Sequence, residues 1–250
     1  MKRTIHSFAW SSRESQEVFW KYQKDMTVQA KEEVAQYMRL FGIDSVAGFK
    51  IFDVGCGVGY HAEAFSEIGA AVTGIDVSDF CLTQARKRCV DKAVTFVLSE
   101  AKDINWVEAF DYAIAIRHTL GFMPYDELVE HMKRIYFSIK SGGKFLLVIP
   151  FSLEMGKQYL PVHKWSDENG CFTLVDKYID NDNFKIERCV IIDSNKDEIE
   201  EFHERQRFYS TNEVVDVLNA AGFSIIKPMK NIHGDDADAT SGAQAYIAEK

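Results

Sequence analysis

The sequence predicts an α/β fold: a doubly wound, mostly parallel sheet of seven strands that carries a small inserted antiparallel sheet. Three observations predict it. As far as Pro150, runs that are apolar at nearly every position alternate with helical patterns, as they do when strands are buried on both faces and joined by crossover helices. A glycine-rich turn follows the first such run. After Pro150 the alternation gives way to runs joined by the turn signal Asn181-Asp182-Asn183, which reads as an antiparallel meander.

In chain order, residues 1–45 read as a helical arm in which Phe19, Trp20 and Tyr22 gather at helical spacing. That aromatic set is suited to packing on the core or to closing over a ligand, and packing is the commoner use. Residues 46–150 hold the strand runs "FKIFDV", "AAVTGI", "VTFVL", "FDYAIAI" and "KFLLVIP". The clearest helix among them follows Pro124, where Leu128, Val129, Met132, Ile135, Tyr136 and Ile139 recur at helical spacing and Ser141-Gly142-Gly143 ends the run. Residues 151–209 form the insertion, with "CFTLVDKYID", "NFKIERCVIID" and "EEFHERQRFY" as its strands; it is expected to cover a substrate or to make a dimer contact. Residues 210–250 open with Ser210 and Glu213 in a capping box, followed by Val214, Val217, Leu218 and Ala221 on one face and Gly222 after them. "GFSIIKPM" and "AQAYIAEK" then complete the main sheet.

Composition narrows the function classes. A chain of 250 residues, 46% hydrophobic and 27% charged, is that of an ordinary globular protein with a sizeable core. No apolar run suits a signal peptide or a membrane span, so a cytoplasmic protein without a membrane partner is expected. Five scattered cysteines without a C-x-x-C pair suggest reduced thiols, neither a disulfide framework nor a zinc cluster. A net charge of −9 argues against nucleic acid, whose phosphates are bound by many lysines and arginines. Asp235, Asp236 and Asp238 near His233 read as a solvated acidic loop, and no metal is expected.

The stretch "KIFDVGCGVGYHAEAF" carries the chemistry. A strand, a glycine-rich turn and a helix together direct backbone N–H groups and a helix N-terminus at a ligand, and side chains on the turn would hold that ligand away. Asp76 ends the next strand, where an acid hydrogen-bonds ribose hydroxyls in nucleotide-binding β-α-β folds. The spacing differs from the dinucleotide fingerprint: the third glycine comes one residue early, and Tyr60 stands where a small residue belongs.

The resulting pattern, Asp53-x-Gly55-x-Gly57-x-Gly59, resembles the first motif of the class I S-adenosylmethionine-dependent methyltransferases, and the resemblance extends from about Phe49 onward. It implies a Rossmann-like core with S-adenosylmethionine as cofactor. Carried over residue by residue, Gly55, Cys56 and Gly57 would line the methionine portion, Gly59 would also belong to the cofactor site, Asp53 would act from beneath the loop, and Asp76 would take the ribose hydroxyls with Val77 beside the adenine. Ser99-Glu100-Ala101 stands for the family's usual Gly-Asp-Ala/Met turn, so Glu100 and Ala101 would meet the adenine. His61, at the helix start, and Arg117, after the fourth strand, complete the cofactor-binding candidates.

The passage Arg117-His118-Thr119-Leu120 replaces the Asn/Asp-Pro-Pro-aromatic motif of the branch that methylates polynucleotide amino groups. With the acidic charge, this points to a small-molecule acceptor. The insertion and "RFYSTNEVVDVLNAAGF" look like bacterial small-molecule methyltransferases, including those that N-methylate amino sugars. His118 is the catalytic candidate, as a base or as a hydrogen-bond partner only, since histidine exchanges a proton near neutral pH. Tyr22, Trp165 and Arg207 are the substrate-binding candidates, and a homodimer is a possible assembly. Two other classes stay open: a nicotinamide-dependent oxidoreductase on a related fold, which the glycine spacing disfavours, and a donor-binding protein without catalysis.

Overall fold

Strands that are apolar on both sides need a cover on each side, and two separate cores supply it. The computed structural model describes residues 1–250 apart from 8–12, 14, 15, 18, 19, 21, 22, 118, 120, 122, 124, 169 and 238–240. The chain opens with β1 (Lys2–Ser7) and, after the helical residues Arg13, Gln16, Glu17 and Trp20, α1 (Thr27–Phe41). The core follows as β2 (Lys50–Val54), α2 (Tyr60–Glu67), β3 (Ala71–Asp76), α3 (Asp79–Arg88), β4 (Val94–Leu98), β5 (Phe110–Ile116), α4 (Leu128–Ser138) and β6 (Ile139–Val148). Next come α5 (Leu153–Tyr159), β7 (Val162–Glu168), β8 (Cys171–Ile179), β9 (Phe184–Asp193), β10 (Glu198–Arg207), α6 (Thr211–Ala221), β11 (Ser224–Met229) and β12 (Ala245–Glu249).

The main sheet has the order β11-β12-β6-β5-β2-β3-β4. Its strands run parallel except β12, which is antiparallel to both neighbours. Alternate residues feed opposite cores. Phe52, Ala113, Ala115, Phe145 and Leu147 face α4 and α6, where Leu128, Met132, Ile135, Val214 and Leu218 are buried. Ile51, Ile114, Leu146 and Val148 face α1 and α2, where Ala30, Val34, Tyr37, Phe41 and Phe65 are buried. The strand order turns back at β2: β3 and β4 lie to one side of it, β5 and β6 to the other. In open α/β sheets ligands bind at the carboxyl edge of such a switch point.

The second sheet has the order β1-β10-β9-β8-β7. Two of its strands correct the sequence reading. Lys2–Ser7 pairs in parallel with Glu198–His203, so the first residues are strand and not helical arm. Val162–Glu168 adds an edge strand to the meander, in a segment too polar to read as a strand. The helix at Leu128 also ends sooner than its pattern implied: its cap is Ile139, and Ser141-Gly142-Gly143 lies within β6. The insertion meets the edge of the main sheet at Gly121, where an added Cβ would overlap the Gln206 side chain, and its two ends are joined where the Tyr209 carbonyl accepts the Leu153 N–H at 2.8 Å.

The capping box that begins α6 is formed in full: Ser210 Oγ accepts the Glu213 N–H at 3.2 Å, and the Glu213 carboxylate accepts the Ser210 N–H at 2.8 Å. Ser210→Ala should lower stability by about 1 kcal/mol, read as a lower urea midpoint at unchanged slope. An unshifted midpoint would mean that the cap contributes nothing to α6.

Candidate functional site

The three alternate glycines after β2 all have positive φ, +69° at Gly55, +55° at Gly57 and +84° at Gly59, but they lack side chains for different reasons. A Cβ on Gly55 would stand 2.5 Å from Thr119 Oγ1, which in turn donates to the carbonyls of Ile116, at 3.1 Å, and Val54, at 3.4 Å. A Cβ on Gly59 would meet Ala85 at 3.0 Å and Phe96 at 3.2 Å, so this glycine lets α3 and β4 pack against the turn. Gly57 alone faces open space, with Trp20 as its nearest neighbour at 3.8 Å from the Cβ position. The expectation that all three make room for a ligand is therefore corrected for Gly55 and Gly59, whose room is filled by this chain's own side chains.

The turn is fixed from below and beside. Asp76, at the end of β3, accepts the Gly57 N–H through Oδ2 and the Ser78 N–H through Oδ1, both at 2.8 Å. Burial raises its pKa, and the backbone N–H groups of Ser78, Gly57 and Val77 oppose the rise. Arg88 of α3 donates to the Val58 carbonyl at 3.2 Å and lies over the Tyr60 ring. Asp53, on β2, is 2% exposed, and its Oδ2 meets no hydrogen-bond partner among the described residues. Burial pushes its carboxyl up to about 7, with His61 opposing and Asp76 adding to the rise. The Cys56 side chain lies against Gly74 of β3, where an added Cβ would come within 2.8 Å of its sulfur. Burial raises its thiol well above the ordinary value, which disfavours the thiolate.

At the other end of the turn, three elements meet on one carboxylate that the sequence reading missed. Glu33 of α1 accepts hydrogen bonds from Gln29 at 2.8 Å, from Arg117 at 3.1 Å and from Tyr37 at 3.4 Å, and it pairs with His61 Nε2 at 2.7 Å. Burial would raise its pKa, but the His61 hydrogen bond and the Arg117 charge outweigh that and hold the carboxyl below its ordinary range. Arg117 follows β5 with φ +67°, a conformation that costs a residue with a Cβ roughly 1–2 kcal/mol. Gln29, Glu33 and Tyr37 are spaced i, i+4, i+8, one polar line along a helix, which is the signal the sequence held.

On the β4 side, Val77 is exposed beside Asp76, Glu100 is half exposed, and Ala101 is buried at the start of a short 3₁₀ turn. Glu100, Glu127 and His131 bring their ligand atoms within 4.8 Å of one another. Lys102 already occupies that cluster, paired with Glu127 and, at 3.2 Å, with Glu100. His131 Nδ1 accepts the Lys102 N–H at 3.2 Å, which leaves the imidazole proton on Nε2, facing the acids. Burial lowers the pKa of this histidine, and its buried Nε2, 3.8 Å from Glu127 and 3.9 Å from Glu100, meets no hydrogen-bond partner among the described residues.

Above the turn, Trp20 donates to Gln16 at 2.9 Å and to the Cys81 sulfur at 3.3 Å, and Arg13 pairs with Asp79 at 2.8 Å. The N-terminal segment is thus docked on the start of α3 with Trp20 over Gly57. His118 and Tyr22 lie outside the described residues. Trp165 is 74% exposed on the edge strand β7. Arg207 bonds Glu213 at 3.1 Å and so straps the exit of the second sheet to the first turn of α6.

Residues 51–143 match the family described as methyltransferase domain. A ubiquinone biosynthesis O-methyltransferase of Thiobacillus denitrificans is 36% identical over 98 residues, which cover 38% of this chain and 40% of the relative. A putative methyltransferase of a Geobacillus species is 22% identical over 219 residues, covering 80% of this chain and 84% of that one. The chain thus spans about two fifths of the first relative's length and most of the second's. Among solved structures, an S-adenosylmethionine-dependent methyltransferase of Clostridium acetobutylicum superposes with a TM-score of 0.73 at 13% identity, covering 94% of this chain and 95% of that one. An amino pentose methyltransferase of Micromonospora echinaspora, solved with S-adenosylmethionine bound, superposes with a TM-score of 0.70 at 18% identity, covering 98% and 99%. At such identities the superpositions show a shared fold. Residues 51–143 are thus a methyltransferase domain, and the fold built around it is the one seen in S-adenosylmethionine-dependent methyltransferases.

Proposed function

We propose that the chain binds S-adenosylmethionine at the carboxyl edge of the main sheet and transfers its methyl group to a nitrogen or oxygen of a small-molecule acceptor in the cytoplasm. The observation that carries this reading is the unit formed by Gly57 and Asp76: an open position on the turn beside a carboxylate whose oxygens are each oriented by one backbone N–H. Each oxygen keeps a second lone-pair direction, as a ribose diol requires. The orphaned Asp53 Oδ2 beneath the turn is a further acceptor awaiting a donor. These residues fit the cofactor. Glu100 and Ala101 are assigned to its adenine, with Val77 alongside.

The cofactor supplies an activated methyl group, so this chain's residues have to orient the acceptor, exclude water and take up a proton. His118 is assigned the proton, since an imidazole with an ordinary pKa of about 6.5 accepts one near neutrality. The contact of Gln206 with Gly121 supports an acceptor pocket between the β5 edge and the second sheet, with Tyr22 and Arg207 as its candidate contacts. The superposition on a sugar N-methyltransferase from Streptoalloteichus, with a TM-score of 0.68 at 13% identity, supports a small-molecule acceptor. Trp165 has a different use. It stands on the outward face of the second sheet with Phe172, Leu174 and Tyr178, all exposed, which favours a second copy of the chain over the acceptor as its partner.

Calorimetric titration should find S-adenosylmethionine and S-adenosylhomocysteine bound, and NAD not bound at comparable strength; the reverse order would end this reading. Asp76→Ala should weaken donor binding by about 1.5–3 kcal/mol, the scale of hydrogen bonds to a charged group, while unchanged affinity in a folded variant would put the ribose elsewhere. His118→Ala should lower turnover roughly 10²-fold with donor affinity retained; near-normal turnover would reduce His118 to a contact. Sedimentation velocity should give a dimer for the wild type and a monomer for Trp165→Lys, and a monomeric wild type would rule out the proposed interface.

A further inference from the structure

Glu33 belongs to none of the family motifs, yet it is the point where three elements are joined. It stands mid-helix on α1, and its side chain is 14% exposed. The His61 ring reaches it from the first turn of α2, immediately after the glycines, and the Arg117 guanidinium from the end of β5. A buried carboxylate is retained only where hydrogen bonds and a cation compensate it, and here those partners are Gln29, Tyr37, His61 and Arg117. The dependence runs in both directions. Arg117 holds its left-handed backbone conformation in a position where its described side-chain bonds go to Glu33 through Nη2. Such a conformation persists where its surroundings over-determine it.

We propose that Glu33 is a positioning residue for the amino-acid end of the donor: it fixes the Arg117 guanidinium and the His61 ring beside the glycine turn, where they meet the donor's α-carboxylate. This rests on the proposed S-adenosylmethionine site, of which Arg117 and His61 are binding candidates, and adds that they meet its amino-acid end. A fork held by one terminal nitrogen is oriented in its plane, and an oriented guanidinium binds a carboxylate more tightly than one that must be ordered on binding. Glu33→Gln keeps the shape but removes the charge, and it turns an NH₂ group toward donors it cannot satisfy.

Two ligands separate positioning from general structure. S-adenosylhomocysteine has the amino-acid end; methylthioadenosine lacks it and keeps the adenosine. In calorimetric titrations, Glu33→Gln should bind S-adenosylhomocysteine at least tenfold more weakly than wild type and methylthioadenosine within twofold of it. Arg117→Ala should show the same selective loss, and the double variant should lose little beyond Arg117→Ala alone. Arg117→Ala that leaves S-adenosylhomocysteine affinity unchanged would mean that the amino-acid end lies elsewhere, which is a failure of the assignment. A selective loss with Arg117→Ala but not with Glu33→Gln would overturn the role of Glu33. Equal losses for both ligands, or unchanged or tighter S-adenosylhomocysteine binding, would overturn it as well. Should Glu33→Gln fail to fold, Glu33→Asp, which keeps the charge one methylene short, is read in the same two titrations against the same criteria.

Discussion

Everything at the candidate site depends on one bond, that from the Gly57 N–H to Asp76 Oδ2 at 2.8 Å. It joins the turn after β2 to the end of β3. It fixes the turn's most open glycine, whose nearest side chain is Trp20, to the carboxylate assigned to the ribose. The bond also needs its surroundings. Asp76 is held at its other oxygen by Ser78, whose own hydroxyl caps α3 by accepting the Cys81 N–H at 3.2 Å. The start of α3, the end of β3 and the turn are thus one hydrogen-bonded unit, and Gly59 brings α3 close enough for it to form.

Acidic groups gather around this unit at a cost in solvation. Asp53 and Asp76 both lose water and both have raised pKa values, and the Asp76 charge adds to the rise at Asp53. The compensation available to Asp53 within the described residues is electrostatic, from His61. A protein that only needed stability at this point would do better with an apolar residue than with an acid whose oxygen has no donor, because an unpaired buried polar atom costs free energy in any fold. Any role of Asp53 at the proposed donor site has to offset that cost.

How much was legible in the sequence follows from the range of the interactions involved. The main sheet was readable because continuous apolar runs are a local consequence of burial on both faces, and the α6 capping box because its two residues are three apart. The polar strand β7 was not, since an edge strand exposed on both sides has no apolar alternation to show. Neither was β1, whose partner strand begins at Glu198. At the site the glycines and Asp76 stood out by type and spacing, but the reason for Gly55 did not, because Thr119 fills its space from a different strand end. Glu33 was hidden in the same way: its partners lie 28 and 84 residues further on, and only the folded chain brings them to one carboxylate.

The unexpected strand β1 changes how the two halves of the site relate. Its last residues pair beside Phe202 and His203, a few positions before Gln206, the residue that meets Gly121 at the edge of the main sheet. Only a short span further along the chain, Gln16 and Trp20 are docked on Cys81, with Trp20 over Gly57. The N-terminal part of the chain thus contributes to both places: Lys2–Ser7 forms an edge of the second sheet, and Trp20 stands over the turn after β2.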